Sequence, residues 1–131
     1  MRMRVSRAVR AGAVAAVLSG APSTLHALVT GRDPLEATLA AGSILLPGET
    51  RRARLLAAAV PVHLTLSLGW AIVLDRAGVR SARAGAVAGL AIAAVDLALP
   101  GRHFPRVLAL PPAPQLADHV AFGAIVGRLL G

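Results

Sequence analysis

The sequence predicts an all-α fold: an integral membrane bundle of four transmembrane helices plus one short interfacial or re-entrant helix, in a single domain over residues 1–131. Three observations predict it. Four apolar stretches, 11–30, 55–74, 84–100 and 115–130, fill most of the 131 residues, and a bilayer core asks for roughly 20 apolar residues per helix, with about 17 as the lower limit. Arginines fence these stretches: Arg7 and Arg10, then Arg51, Arg52 and Arg54, then Arg76, Arg80 and Arg83, then Arg102 and Arg106. Hydrophobic residues make up 56% of the chain, more than a soluble domain usually carries.

The first stretch follows a basic leader containing Arg2, Arg4, Arg7 and Arg10. A basic segment and a short apolar run are also how a cleaved signal peptide begins. Here the apolar run continues through Pro22 to Val29, so it reads as a retained first helix. Asp33-Pro34-Leu35-Glu36 then forms a helix start, with Asp33 as cap, Pro34 in the first position and Glu36 three residues after the cap. The helix it opens, 34–46, is stopped by Pro47-Gly48. At about 1.5 Å per residue it reaches roughly 20 Å, too short for a 30 Å core. The stretch 55–74 holds Pro61, which should kink it or free a carbonyl. The stretches 84–100 and 115–130 are both short. Between them Pro100, Pro105, Pro111, Pro112 and Pro114 predict an extended or turn-rich connector.

Four crossings place both termini on one side of the membrane. Eight arginines (Arg2, Arg4, Arg7, Arg10, Arg76, Arg80, Arg83, Arg128) then face six (Arg32, Arg51, Arg52, Arg54, Arg102, Arg106). The four ahead of the first helix favour termini in the cytoplasm of a multi-pass cell-membrane protein. Arg10–Ala15 and Arg83–Ala88 both read Arg-Ala-Gly-Ala-Val-Ala; a parallel two-helix duplication and coincidence in an Ala/Gly/Val-rich chain both explain it.

In lipid, helices associate through small residues and hydrogen bonds rather than by burying apolar surface. Each stretch carries such a stripe at helical spacing: Gly12, Ala16, Ser19, Ser23, His26 and Thr30; Ala59, His63, Ser67 and Trp70; Gly85, Gly89, Ala93 and Asp96; Gln115, His119, Gly123 and Gly127. Gly12, Gly85, Gly89, Gly123 and Gly127 are the expected packing residues of a tight bundle. Alternating helix directions bring His26, His63, Asp96, Asp118 and His119 into the half opposite the termini or near the midplane. An Asp at mid-helix costs about 2.5–3.5 kcal/mol on insertion scales, so Asp96 needs a partner, expected to be His63 or His26.

The net charge of +8 raises the question of nucleic acid. Nucleic-acid binders cluster basic groups on one face beside stacking aromatics, whereas this chain has one Trp, two Phe and no Tyr, with arginines at the helix ends. Nucleic acid is therefore not an expected partner. Absent cysteine excludes disulfides, Cys-ligated zinc and thiol catalysis, and Ser23 or Ser67 with His and Asp lacks a nucleophile elbow.

The segments Gly20-Ala-Pro-Ser-Thr-Leu-His26-Ala-Leu28 and Arg106-Val-Leu-Ala-Leu-Pro-Pro-Ala-Pro-Gln-Leu-Ala-Asp-His119-Val-Ala-Phe-Gly123 resemble small multi-pass membrane proteins of actinobacteria that have no assigned function. The resemblance spans most of the chain and implies a membrane protein, without site residues to carry over. Two readings of the polar cluster stand open. In the first, the protein is a structural or partner-binding bundle held by hydrogen bonds among these groups, with the bilayer, a second copy or another membrane protein as partner. In the second, the cluster is a membrane-embedded proton, metal or small-ligand site. No cofactor is expected, the metal or haem variant of the second reading lacking any local ligand spacing, and the chain reads as a non-enzyme.

Overall fold

The computed structural model describes residues 2–99 and 101–131, and all regular structure among them is helical. The elements are α1 (Arg2–Leu18), α2 (Ala21–Thr30), α3 (Glu36–Leu45), α4 (Arg52–Arg76), α5 (Ala82–Ala98), a 3-10 turn (Gly101–His103), α6 (Pro105–Leu108) and α7 (Pro112–Leu130).

The expected first helix, 11–30, is helical from Arg2 and broken at Ser19-Gly20. Pro22 supplies the reason: it has no N–H to return to the carbonyl one turn earlier, so the ladder is interrupted and a new helix starts with Pro22 in its first turn. α2 ends at Gly31, whose φ of 71° takes the left-handed region open to glycine. The expected cap at Asp33 shifts. Asp33 Oδ1 accepts the N–H of Leu35 at 2.9 Å, closing a turn, and α3 begins only at Glu36. Asp33 also pairs with Arg52 at the start of α4, and the Arg52 guanidinium with the Leu35 N–H holds its carboxyl down at about 2. In the next loop Glu49 accepts the Arg51 backbone N–H at 2.9 Å and faces the Arg51 side chain, which likewise puts it at about 2.

α4 runs unbroken for 25 residues through Pro61. α5 opens on Ser81, whose hydroxyl accepts the Ala84 N–H at 3.2 Å. Its expected end at Pro100 lies outside the described residues. The proline-rich connector, expected to be non-helical, forms a 3-10 turn and one turn of α-helix, because Pro105 is well suited to a first helical position. For the same reason α7 starts at Pro112 rather than near Gln115, with Pro112 and Pro114 in a first turn that has no donors to lose.

Packing rests on small residues. α5 and α7 run antiparallel in backbone contact: a Cβ on Gly85 would strike the Gly123 carbonyl, one on Gly123 the Gly85 carbonyl, one on Gly89 the His119 carbonyl and one on Gly127 the Ser81 carbonyl. On α1, a Cβ on Gly12 would lie 2.9 Å from Ala71 of α4. A further close approach, Gly42 of α3 against the Leu55 carbonyl of α4, is absent from the expected packing set. The core joins Ala8, Ala11, Ala15 and Ala71 to Leu74, Ile92, Phe122, Val126 and Leu130.

The bundle is less evenly closed than the stripes suggest. α1 packs on α4 and α7, α7 also on α5 and α2, and α3 on α4, while α4 barely touches α5 or α7. The order across the molecule is thus α3, α4, α1, α7, α5, with a gap between the outer members. Among the described residues, two helical runs are long and apolar enough to cross a membrane: Ser6–Thr30, counted across its break, and Arg52–Arg76, with mean hydropathy 1.4 and 1.8. The sequence predicts four. α5 has 17 residues, about 25 Å at 1.5 Å each, and α7 is diluted by Gln115, Asp118, His119 and Arg128.

Candidate functional site

The gap holds a cavity of about 490 Å³, walled by α2, α3, α4, α5, α6 and α7. Its α3 side is largely apolar, with Ala37, Ala41 and Ile44, and Val62 and Leu66 of α4 extend that surface. The remaining lining brings together Ser23, His63, Trp70, Asp96, Asp118 and His119. Four of the five expected cluster residues therefore meet.

His26 is the exception. It does not line the cavity, and its buried Nδ1 has no hydrogen-bond partner among the described residues. The break at Ser19-Gly20 is the cause: the small-polar stripe continues in sequence, but two non-helical residues turn α2 so that Ser23 faces inward and His26 does not.

Asp96 also has different partners from those expected. Its carboxylate accepts the Trp70 indole N–H at 3.2 and 3.1 Å, and its Oδ2 lies 3.5 Å from His119 Nε2. Trp70 lies seven residues after His63 on α4, hence on the same face. His119 arrives through the glycine seam, since Gly89 lets the α7 backbone close in at the level of His119. The His119 ring is oriented by its own helix: Nδ1 stands 2.7 Å from the Gln115 carbonyl, which can only accept, so Nδ1 carries a hydrogen. A neutral ring then has a bare Nε2 facing Asp96, and attraction between the two requires a proton held between them.

Asp118 does a different task. Its Oδ1 accepts the backbone N–H of Ser23 at 2.8 Å, from a helix 95 positions away in sequence. Ser23 stands in the first turn of α2, where backbone donors lack intrahelical partners. A carboxylate from α7 thus caps the half-helix that follows the break, and favours its positive end. The Ser23 hydroxyl turns back to the Gly20 carbonyl at 3.2 Å. His63 lines the cavity without a hydrogen bond to protein among the described residues.

Trp70 and Ser23 stand on the expected small-polar stripes but outside the expected cluster. For Trp70 the signal was present: an indole N–H in an apolar helix needs an acceptor, and the carboxylates were the available ones. Among the described residues no three His, Asp or Glu side chains converge as a metal-ligand set. Comparison of the chain with known protein families, with characterised proteins and with solved structures gives no match.

Proposed function

We propose that this chain is a four-crossing cell-membrane protein, with cytoplasmic termini, whose bundle binds a small molecule within the membrane. The observation that carries the binding reading is the cavity: about 490 Å³, apolar along α3 and at Val62 and Leu66 of α4, with His63, Asp96, Asp118 and His119 gathered on the rest of its lining. A mostly apolar concavity with a few convergent polar groups is the usual form of a ligand site. The reading is of a binding protein rather than an enzyme.

The membrane reading is supported by an inside-out distribution of side-chain size. Many large apolar groups point outward, with Val17 80% exposed, Val29 77%, Val87 65% and Leu25 62%, while small residues supply the closest helix contacts inside. In water such a surface would be an aggregation hazard; in lipid it is the solvated face. α5 and α7 cross as a glycine-locked pair, their shortness met by local thinning of the bilayer and by arginines reaching for the headgroups. α3 is the re-entrant or interfacial element and closes the apolar side of the cavity.

The topology is tested by single cysteines, for which the chain offers a cysteine-free background. Ala77→Cys should react with an impermeant thiol reagent from the cytoplasmic face, and Thr50→Cys and Ala109→Cys from the opposite face. Labelling of Ala109→Cys from the cytoplasmic face would reduce the chain to two crossings and overturn the four-helix topology.

The same polar groups also support the structural role, since Trp70–Asp96 ties α4 to α5 and Ser23–Asp118 ties α2 to α7.

A further inference from the structure

We infer that the cavity takes an organic cation: a small ammonium-type head against Asp118 and Trp70, with an apolar body along the α3 wall and Leu66. The inference rests on the binding reading above and names its ligand class.

Charge placement is the first ground. The chain has 14 arginines and a net charge of +8, yet no arginine lines the cavity. Its charged lining consists of two carboxylates, Asp96 and Asp118, and its other titratable groups are His63 and His119. Asp96 already faces the Trp70 indole N–H and His119 Nε2, 3.5 Å away, so its charge is partly met within the wall. Asp118 forms no ion pair among the described residues; it accepts the neutral backbone N–H of Ser23 with His63 and His119 as its titratable neighbours, so its carboxylate is open to a cation in the cavity. A carboxylate in a low-dielectric wall attracts a counter-charge far more strongly than one in water.

Shape and surface are the second. A metal ion would need several oxygen or nitrogen ligands at short range, and no such set converges among the described residues. An alkylammonium needs one counter-charge, an aromatic face and apolar contact. Trp70 lines the cavity with its N–H already committed to Asp96, so what it offers a ligand is ring surface, the best of the side chains for a cation. Ala37, Ala41, Ile44 and Leu66 supply the apolar contact. An anion would face Asp118 with no arginine to offset it.

Trp70 is the chain's single tryptophan, so its fluorescence reports on the cavity alone. The experiment titrates the full chain in mild detergent with benzyltrimethylammonium, its neutral isostere neopentylbenzene, and the anion phenylmethanesulfonate. The quaternary ammonium cannot lose a proton, so its charge is fixed. The cation should shift Trp70 emission saturably and bind at least ten-fold tighter than the neutral isostere, with the anion silent. Asp118→Asn, whose amide oxygen still accepts the Ser23 N–H, should weaken cation binding ten-fold or more, and Asp118→Glu should restore most of it. If Asp118→Asn does not fold, the ranking of the three probes on the unaltered chain decides alone. Equal binding of cation and neutral isostere would overturn the cation inference and leave the binding reading standing. Silence from all three probes would overturn both.

Discussion

The backbone N–H of Ser23 donates to Oδ1 of Asp118 at 2.8 Å, joining the first turn of α2 to the cavity face of α7. One carboxylate thereby completes the helix that resumes after Pro22 and sets the charge of the cavity wall. The two roles separate by mutation. Asp118→Ala loses the cap and should cost about 0.5–2 kcal/mol, the range for removing an N-cap side chain. Asp118→Asn keeps an accepting oxygen and should cost less than half of that. Thermal unfolding in one detergent, followed by monodispersity, measures both; equal losses would mean that charge rather than the hydrogen bond holds α2.

The glycine seam gives a prediction with a built-in control. Gly85→Ala or Gly123→Ala would drive a methyl group into a facing backbone carbonyl, where no flexible side chain can yield. Each should destabilise the fold by about 1–3 kcal/mol, as overpacking does. Gly69→Ala in α4 meets nothing within 4 Å and should raise stability by about 0.5–1 kcal/mol through helix propensity. A scan of the three melting temperatures checks the order.

Trp70→Phe keeps the aromatic packing and removes the indole N–H that Asp96 accepts. With the carboxylate left to His119 alone, the loss should be about 1.5–3 kcal/mol, the range for hydrogen bonds to charged groups. A double-mutant cycle with Asp96→Asn isolates the pair: additive losses would show that the two side chains are not coupled.

The loop carboxylates set an acid limit on the end that carries α3. Asp33 and Glu49 stand at about 2 in the folded chain, against ordinary values of 3.8 and 4.5. A carboxylate lowered on folding contributes stability that is fully present above its ordinary value and is lost as pH falls through its folded value. Both contributions should therefore fade between about pH 4.5 and pH 2. Both groups lie in surface loops and are partly exposed, so added salt should screen part of the effect. Stability followed from pH 6 to pH 2 should fall less steeply in Asp33→Asn than in the unaltered chain.

Much of the helix content was legible because it rests on local rules. The apolar runs, the stop at Pro47-Gly48 and the helix start near Asp33-Pro34 depend on residues within a turn of one another. The glycines of α5 and α7 were legible too, since a stripe of small residues in an apolar helix has few uses besides close packing. The misses share a cause: each is a tertiary event. That Pro22 would split the first helix rather than bend it, as Pro61 leaves α4 unsplit, depends on Asp118 arriving to satisfy Ser23. That His26 would leave the cluster follows from the same break. Gly42 carried no signal within its own helix, because its importance lies in the Leu55 carbonyl opposite. The partner of Asp96 turned on how far the Gly89 contact draws His119 inward, which spacing along either helix does not encode.

The backbone-to-backbone contacts also divide the molecule mechanically. α3 and α4 are locked at Gly42 and Leu55, and α5 and α7 at Gly85 and Gly123, so neither pair has slack within it. Between the pairs stands α1, and the chain leaving it toward α2 is interrupted at Ser19-Gly20. With α1 itself held against the α4 backbone at Gly12 and Ser67, compliance is expected to concentrate at the interrupted segment between α1 and α2, where Asp118 holds Ser23 like a latch.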